Sequence, residues 1–223
     1  ENLSYWDTSS VTDMSYMFFS ADNFNQNIGG WDTSNVENME IMFMNARTFN
    51  NGSASGVSTN TLNWDTSNVT NMTAMFSSTN AFNIDIGSWN TSSVNNMQSM
   101  FSGAALFNQD LNWEVSNVTT MTSMFHNAVR FNGNISSWEP DSVVTMKDMF
   151  YNAEDFNQDI GSWNMSSVTN VESMFRQAES FNQNIGSWDV SNITNFIFFF
   201  AEATAFNNGD ASGVTSNTLN WDF

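Results

Sequence analysis

Nine tryptophans are each followed by a side-chain oxygen donor: Asp7, Asp32, Asp65, Asn90, Glu114, Glu139, Asn164, Asp189 and Asp222. A second acid or amide column runs through Asn27, Asp85, Asp110, Asn134, Asp159 and Asn184. Carboxylates aligned about 5 Å apart repel by roughly 1–3 kcal/mol per neighbouring pair, depending on the effective dielectric. Solvation, proton sharing or a bound cation would relieve such a row, and oxygen-only donors suit Ca²⁺. The stretch Asn208-x-Asp210-x-Ser212-Gly213 echoes the first half of a calcium loop, but Leu219 stands where the bidentate acid belongs. Asn208, Asp210 and Ser212 are therefore weak calcium candidates, and no other cofactor is expected.

Other chemistry finds less footing. There is no cysteine, so thiolate metal sites and thiol nucleophiles are excluded, and with His126 the single histidine no His-based metal site appears. No phosphate loop or Ser/His/Asp set appears, and no carboxylate pair stands out from the columns as a glycosidase pair. The expectation is a non-enzyme. The tryptophans could stack on sugars, but Ile28, Ile86, Ile135, Ile160 and Ile185 precede them in step, which favours a core position. A Thr column (Thr8, Thr33, Thr66, Thr91) of the kind ice-binding proteins use is broken by Val115, Pro140, Met165 and Val190. An Asn column (Asn25, Asn50, Asn83, Asn108, Asn132, Asn157, Asn182, Asn207) reads as a structural ladder satisfying turn backbone.

These columns exist because the chain is periodic. Trp6, Trp31, Trp64, Trp89, Trp113, Trp138, Trp163, Trp188 and Trp221 are separated by 25, 33, 25, 24, 25, 25, 25 and 33 residues. Such a period marks units that bury their apolar side only by stacking on neighbours. Counted from each Trp, apolar residues recur at offsets 5, 8, 11, 12, 15 and 18, as in Val168, Val171, Met174, Phe175, Ala178 and Phe181. Offsets 8, 11, 12 and 15 match one face of a short amphipathic helix. Thr169 and Glu172 would cap it as a capping box. The preceding Trp-Asp-Thr-Ser-Asn-Val segment reads as a strand, and Phe-Asn-Gln-Asp-Ile-Gly-Ser as a turn. The fold class expected is thus α/β: a leucine-rich-repeat-like solenoid of about eight 25-residue strand-helix-turn coils, one array over 1–223. Strands stack more closely than helices, so the array would curve.

The repeated phrases SNVTNM, MF and FNQDIGSW resemble those of BspA-like leucine-rich-repeat surface proteins, the class with mycoplasma-lipoprotein-type repeats. The resemblance covers the whole chain. It implies a leucine-rich-repeat-like solenoid on a cell surface or in the extracellular matrix, adhesion as the usual role, and no catalytic residues.

The net charge of −19, with four Lys and Arg against 23 Asp and Glu, argues against nucleic acid and anionic membranes. No apolar run is long enough to span a bilayer. The chain opens within a unit, as a mature product or an excised piece would. Nine Asn-x-Ser/Thr sequons (Asn2, Asn51, Asn68, Asn71, Asn90, Asn117, Asn134, Asn164, Asn192) are glycosylation candidates.

Inserts of eight residues near 51–62 and 208–219 account for the two long units. In those units outward positions turn apolar: Ile41 and Met44, then Ile197 and Phe198. Either the insert covers them, through Val57 and Leu62 or Val214 and Leu219, or they contact another molecule. Tyr16 and Phe19 have no insert above them and read as interface. The leading expectation is a cell-surface adhesin or structural scaffold. Its partner would be a protein or glycan on a cell surface or matrix. The alternatives are a subunit of an extracellular filament assembling through open ends, and a calcium- or carbohydrate-binding module.

Overall fold

The computed structural model describes residues 2–212, 216–219 and 221. Eight coils follow the tryptophan period: 6–30, 31–63, 64–88, 89–112, 113–137, 138–162, 163–187 and 188 onward. Seven isolated parallel bridges join them, from Asp13↔Asn38 through Asn71↔Asn96 to Asn170↔Asn195. Among the described residues there is no α-helix and no extended strand; one 3-10 turn, Leu3–Tyr5, precedes the first coil.

This corrects the α/β, strand-helix-turn expectation, and the hydrogen bonds give the reason. Where a helix was expected in the first coil, the N–H groups of Met14, Tyr16, Phe18 and Ser20 donate to Asn38, Glu40, Met42 and Met44 of the next coil at 2.8–3.0 Å. The intervening N–H groups of Met17, Phe19 and Ala21 close tight turns onto Met14, Tyr16 and Phe18. Alternate amides therefore serve the neighbour and the local turn, leaving none in the i→i−4 pattern a helix needs. The backbone meets this demand by entering the left-handed region twice per coil, at Tyr16 and Ser20, Ile41 and Asn45, Ser123 and Asn127, and onward. Such residues cannot propagate an α-helix.

Offsets 8, 11, 12 and 15 still point inward, because successive turns reproduce the spacing of a helical stripe. Thr169 does not cap a helix: its N–H and hydroxyl both donate to Val144 O, and it is Asn170 Oδ1 that accepts from Glu172 N at 2.9 Å.

The interior is a set of aromatic columns. Phe18, Phe43, Phe76, Phe101, Phe125, Phe150, Phe175 and Phe200 stack with centroids 5.3–5.9 Å apart. Each lies 3.8–4.1 Å from the second Phe of its own coil, as in Phe125–Phe131. Tryptophans stack nearly parallel at 6.0–6.4 Å along Trp6, Trp31, Trp64 and Trp89, and again along Trp113, Trp138 and Trp163. Their indole N–H groups reach back to the segment just before the preceding tryptophan, Trp138 Nε1 to Leu111 O at 2.8 Å. Trp31 to Trp188 are buried, so the tryptophan column is core. Close coil approach is set by glycine: a Cβ on Gly29, Gly87 or Gly133 would lie 1.9, 2.5 or 2.0 Å from a carbonyl oxygen of an adjacent coil segment.

Candidate functional site

The polar columns form the edges of this stack. Each Asn of the offset-19 column accepts, through its side-chain oxygen, the backbone N–H of its counterpart one coil on, at 2.7–2.9 Å from Asn25 to Asn207. Three glutamines reinforce it: Gln109, Gln158 and Gln183 donate to the backbone and side-chain oxygens of Asn83, Asn132 and Asn157. The Thr column is likewise structural. Thr8, Thr33, Thr66 and Thr91 are buried and donate to carbonyls of the following coil at 2.7–2.9 Å.

In the acid row after the tryptophans, Asp7, Asp32, Asp65, Glu114 and Asp189 close turns. Asp7 and Asp32 each accept from the hydroxyl and N–H of the serine two residues on. Those bonds, the serine hydroxyl first, hold Asp7, Asp32, Asp65 and Asp189 below the ordinary carboxylate value. Repulsion from the previous aspartate opposes this weakly at Asp32 and Asp65. Asn90 and Asn164 accept the same backbone bond with a neutral side chain. Asp222 and Val214 lie outside the described residues.

The calcium candidates separate. Asp210 is buried, its carboxylate bonded to the Ser216 hydroxyl and the Asn217 N–H, which lower its pKa. Asn208 Oδ1 accepts from Ile185 N at 2.9 Å, and Ser212 is exposed. In the first insert Ser53 does the work of Asp210, accepting from Thr59 and Asn60. Asp210 therefore staples its loop. Among the described residues no group of three or more His, Cys, Asp or Glu is placed to hold a metal ion.

The first insert does not cover Ile41 and Met44. It folds over the asparagine edge, with Gly56 N donating to Ala81 O at 2.9 Å and Asn83 Nδ2 to Gly56 O at 3.0 Å. Leu62 enters the core, and Val57 stays exposed. Ile41 and Met44 are half-buried, while Tyr16, Phe19, Ile197 and Phe198 are exposed. Of the sequons, Asn51 is buried, donating to Thr61 O and accepting from Ile28 N, so its folded side chain is unavailable. Asn71 is half-buried. Asn2, Asn68, Asn90, Asn117, Asn134, Asn164 and Asn192 are exposed.

Sequence reasoning missed an outward cluster on the later coils. His126 stacks on Tyr151 at 4.8 Å, and the Arg176 guanidinium sits 5.2 Å from the rings of both Tyr151 and Phe198. Burial lowers the His126 pKa and raises that of Asp148. Lys147 pairs with Glu172 at 2.8 Å. Offset 13 (His126, Tyr151, Arg176) varies in type along the chain, which hides such a stack from a period-based reading.

Three polar notches indent the edge formed by the second acid column. The largest, about 660 Å³, lies between coils 3 and 4 and includes Asp85, Ser88, Asp110 and Asn112. Another, about 590 Å³, is lined by Asp159, Ser162, Asn184 and 216–218. A smaller one, about 320 Å³, lies beside Gly29 and Thr61.

A family model described as "Mycoplasma protein of unknown function, DUF285" matches residues 1–63, 52–148 and 111–214, and the chain belongs to that family. No curated protein and no solved structure matches it.

Proposed function

We propose that the chain is a non-enzymatic extracellular repeat protein, working as a cell-surface adhesin or structural scaffold. The observation that carries this reading is the use of its polar residues. The Asn, Thr and post-Trp acid columns are engaged in ladders and turns, which leaves stiffness and repeated surface as what the molecule offers. The outward positions differ from coil to coil, with Tyr16 and Phe19 exposed near one end and Ile197 and Phe198 near the other. Exposed apolar side chains of this kind mark contacts with partners. The resemblance to BspA-like surface proteins points the same way.

Microspheres coated with the chain should be retained on surfaces bearing matrix proteins or mucin-type glycans. Replacing Tyr16, Phe19, Ile197 and Phe198 by Ser should reduce retention without unfolding the chain. Equal retention of coated and bare microspheres would remove the adhesin reading.

A filament subunit is the second reading. At offsets 8 to 14 each coil donates N–H groups to carbonyls of the coil after it, and the same pairing between coils of two copies would join them into a filament. Regular filaments in negative-stain micrographs would favour it over isolated rods.

A further inference from the structure

The three notches share a setting. Five coils place Ile three residues before the next Trp, as in Ile160-Gly-Ser-Trp163, but three end Leu-Asn-Trp, one residue shorter, at Trp64, Trp113 and Trp221. Each notch lies where a full-length turn meets the shortened turn region that follows: Gly29 with Asn63, Ser88 with Asn112, and Gly186 with Thr218. The later segment passes close to the glycine at each notch, as Asn184 O also does to Gly161, at 2.4 Å from its would-be Cβ. Thr61 O, Asp110 O and Thr218 O come within 1.9, 2.5 and 2.4 Å of where a Cβ on Gly29, Gly87 and Gly186 would stand.

The two larger notches are equipped for a ligand. In the first, Asp85 Oδ1 accepts from Gly87 N and Asp110 Oδ1 from Asn134 N, leaving the outer oxygen of each without a hydrogen bond among the described residues. The side chains of Ser88 and Asn112 also lack a partner there, and the buried Trp89 borders the floor. In the second, Asp159 Oδ1 is held by Gly161 N, and the Ser162 side chain has no hydrogen-bond partner among the described residues. Both notches, about 590 and 660 Å³, are polar and open to solvent, a shape that suits a hydrated ligand lying on the surface rather than a buried apolar one.

We propose that these two notches bind neutral saccharide units of a glycan. The outer carboxylate oxygens accept from sugar hydroxyls, while Ser88 and Asn112 both donate and accept. A net charge of −19 disfavours anionic ligands. With two carboxylates in one notch and one in the other, neither offers the oxygen-rich cage of a calcium site. The smallest notch has no carboxylate and is left out. The assignment needs only these edges and holds whether or not the chain sits on a cell surface.

The test uses the intact chain on an array of neutral hexose and N-acetylhexosamine oligosaccharides, with sialylated ones as controls, followed by calorimetric titration of the best retained glycan. Neutral glycans should be retained in preference to sialylated ones, with two sites per chain. Ser88→Trp should leave one site, and Ser88→Trp with Ser162→Trp should leave none. Asn112→Ala removes a side chain the fold does not use and should weaken the first site about tenfold, a change in Kd read directly from the titration. Failure of any neutral glycan to bind overturns the proposal. So does binding that survives both the doubly blocked chain, with an unchanged melting curve, and Asn112→Ala.

Discussion

The amide nitrogen of Asn157 lies 2.9 Å from the side-chain oxygen of Asn132, one coil earlier, and the same oxygen accepts from Gln158 Nε2 at 2.9 Å. This pair is one rung of a ladder that ties each coil to the next along its polar edge. Asn132→Ala leaves the Asn157 N–H without its acceptor and should cost about 1–3 kcal/mol in urea unfolding. Asn132→Asp keeps an acceptor oxygen and should recover most of that. Equal stability of the Ala variant and the parent would mean the ladder contributes nothing.

Two adjacent glycines should behave oppositely. A Cβ on Gly29 would lie 1.9 Å from Thr61 O, whereas a Cβ on Gly30 meets nothing within 4 Å. Gly30→Ala should change stability by less than about 0.5 kcal/mol. Gly29→Ala must push two coils apart and should cost about 1–3 kcal/mol by thermal melting. Indistinguishable melting of the two variants would contradict the close coil approach.

The left-handed residues give a prediction whose sign separates two architectures. Ser123 has φ 56°. In that region glycine is free of the Cβ clash, so Ser123→Gly should stabilise by about 1 kcal/mol. In the middle of an α-helix the same change would destabilise by about 0.5 kcal/mol or more. The direction of the melting-temperature change decides.

Asp7, Asp32 and Asp65 have pKa values lowered in the folded chain by their serine bonds. A lowered carboxylate releases its proton more readily folded than unfolded. Its contribution is present above the ordinary value near 3.8 and is lost as pH falls through the lower folded value. Asn90 already fills the same place with an amide that accepts from Ser92. Replacing the three aspartates by Asn should therefore leave the fold intact at neutral pH and reduce the loss of stability with acid below about pH 4. Parallel acid-melting curves for parent and variant would show that the serine bonds do not couple to folding.

Much of the molecule was legible in its period. The Trp, Phe, Met and Asn columns could be placed one per coil from spacing alone, and the burial of Trp138 or Phe131 follows from Ile135 and Phe125 standing in step with them. What failed was the local conformation over offsets 8 to 15. A stripe at i, i+3, i+4 and i+7 is shared by a helix and by consecutive tight turns, so Met121, Met124, Phe125 and Ala128 could not separate the two. Residues with weak helix propensity at the left-handed positions, such as Ser99, Ser123 and Asn127, were the available signal. Ile41 and Phe198 in the same columns obscured it. The notch beside Asp85 was written in the 24-residue step, which carries Leu111-Asn112 where neighbouring coils carry Ile-Gly-Ser or Ile-Ser-Ser.

The most direct test of the coil architecture is the partner of a single amide, read by scalar coupling across the hydrogen bond in nuclear magnetic resonance. The Phe125 amide nitrogen should couple to the carbonyl carbon of Met149, whose oxygen lies 2.9 Å away in the next coil. Equivalent couplings should link Phe101 to Met124 and Phe150 to Met174. Coupling of Phe125 to Met121 instead, four residues earlier, would restore the helix and contradict the account.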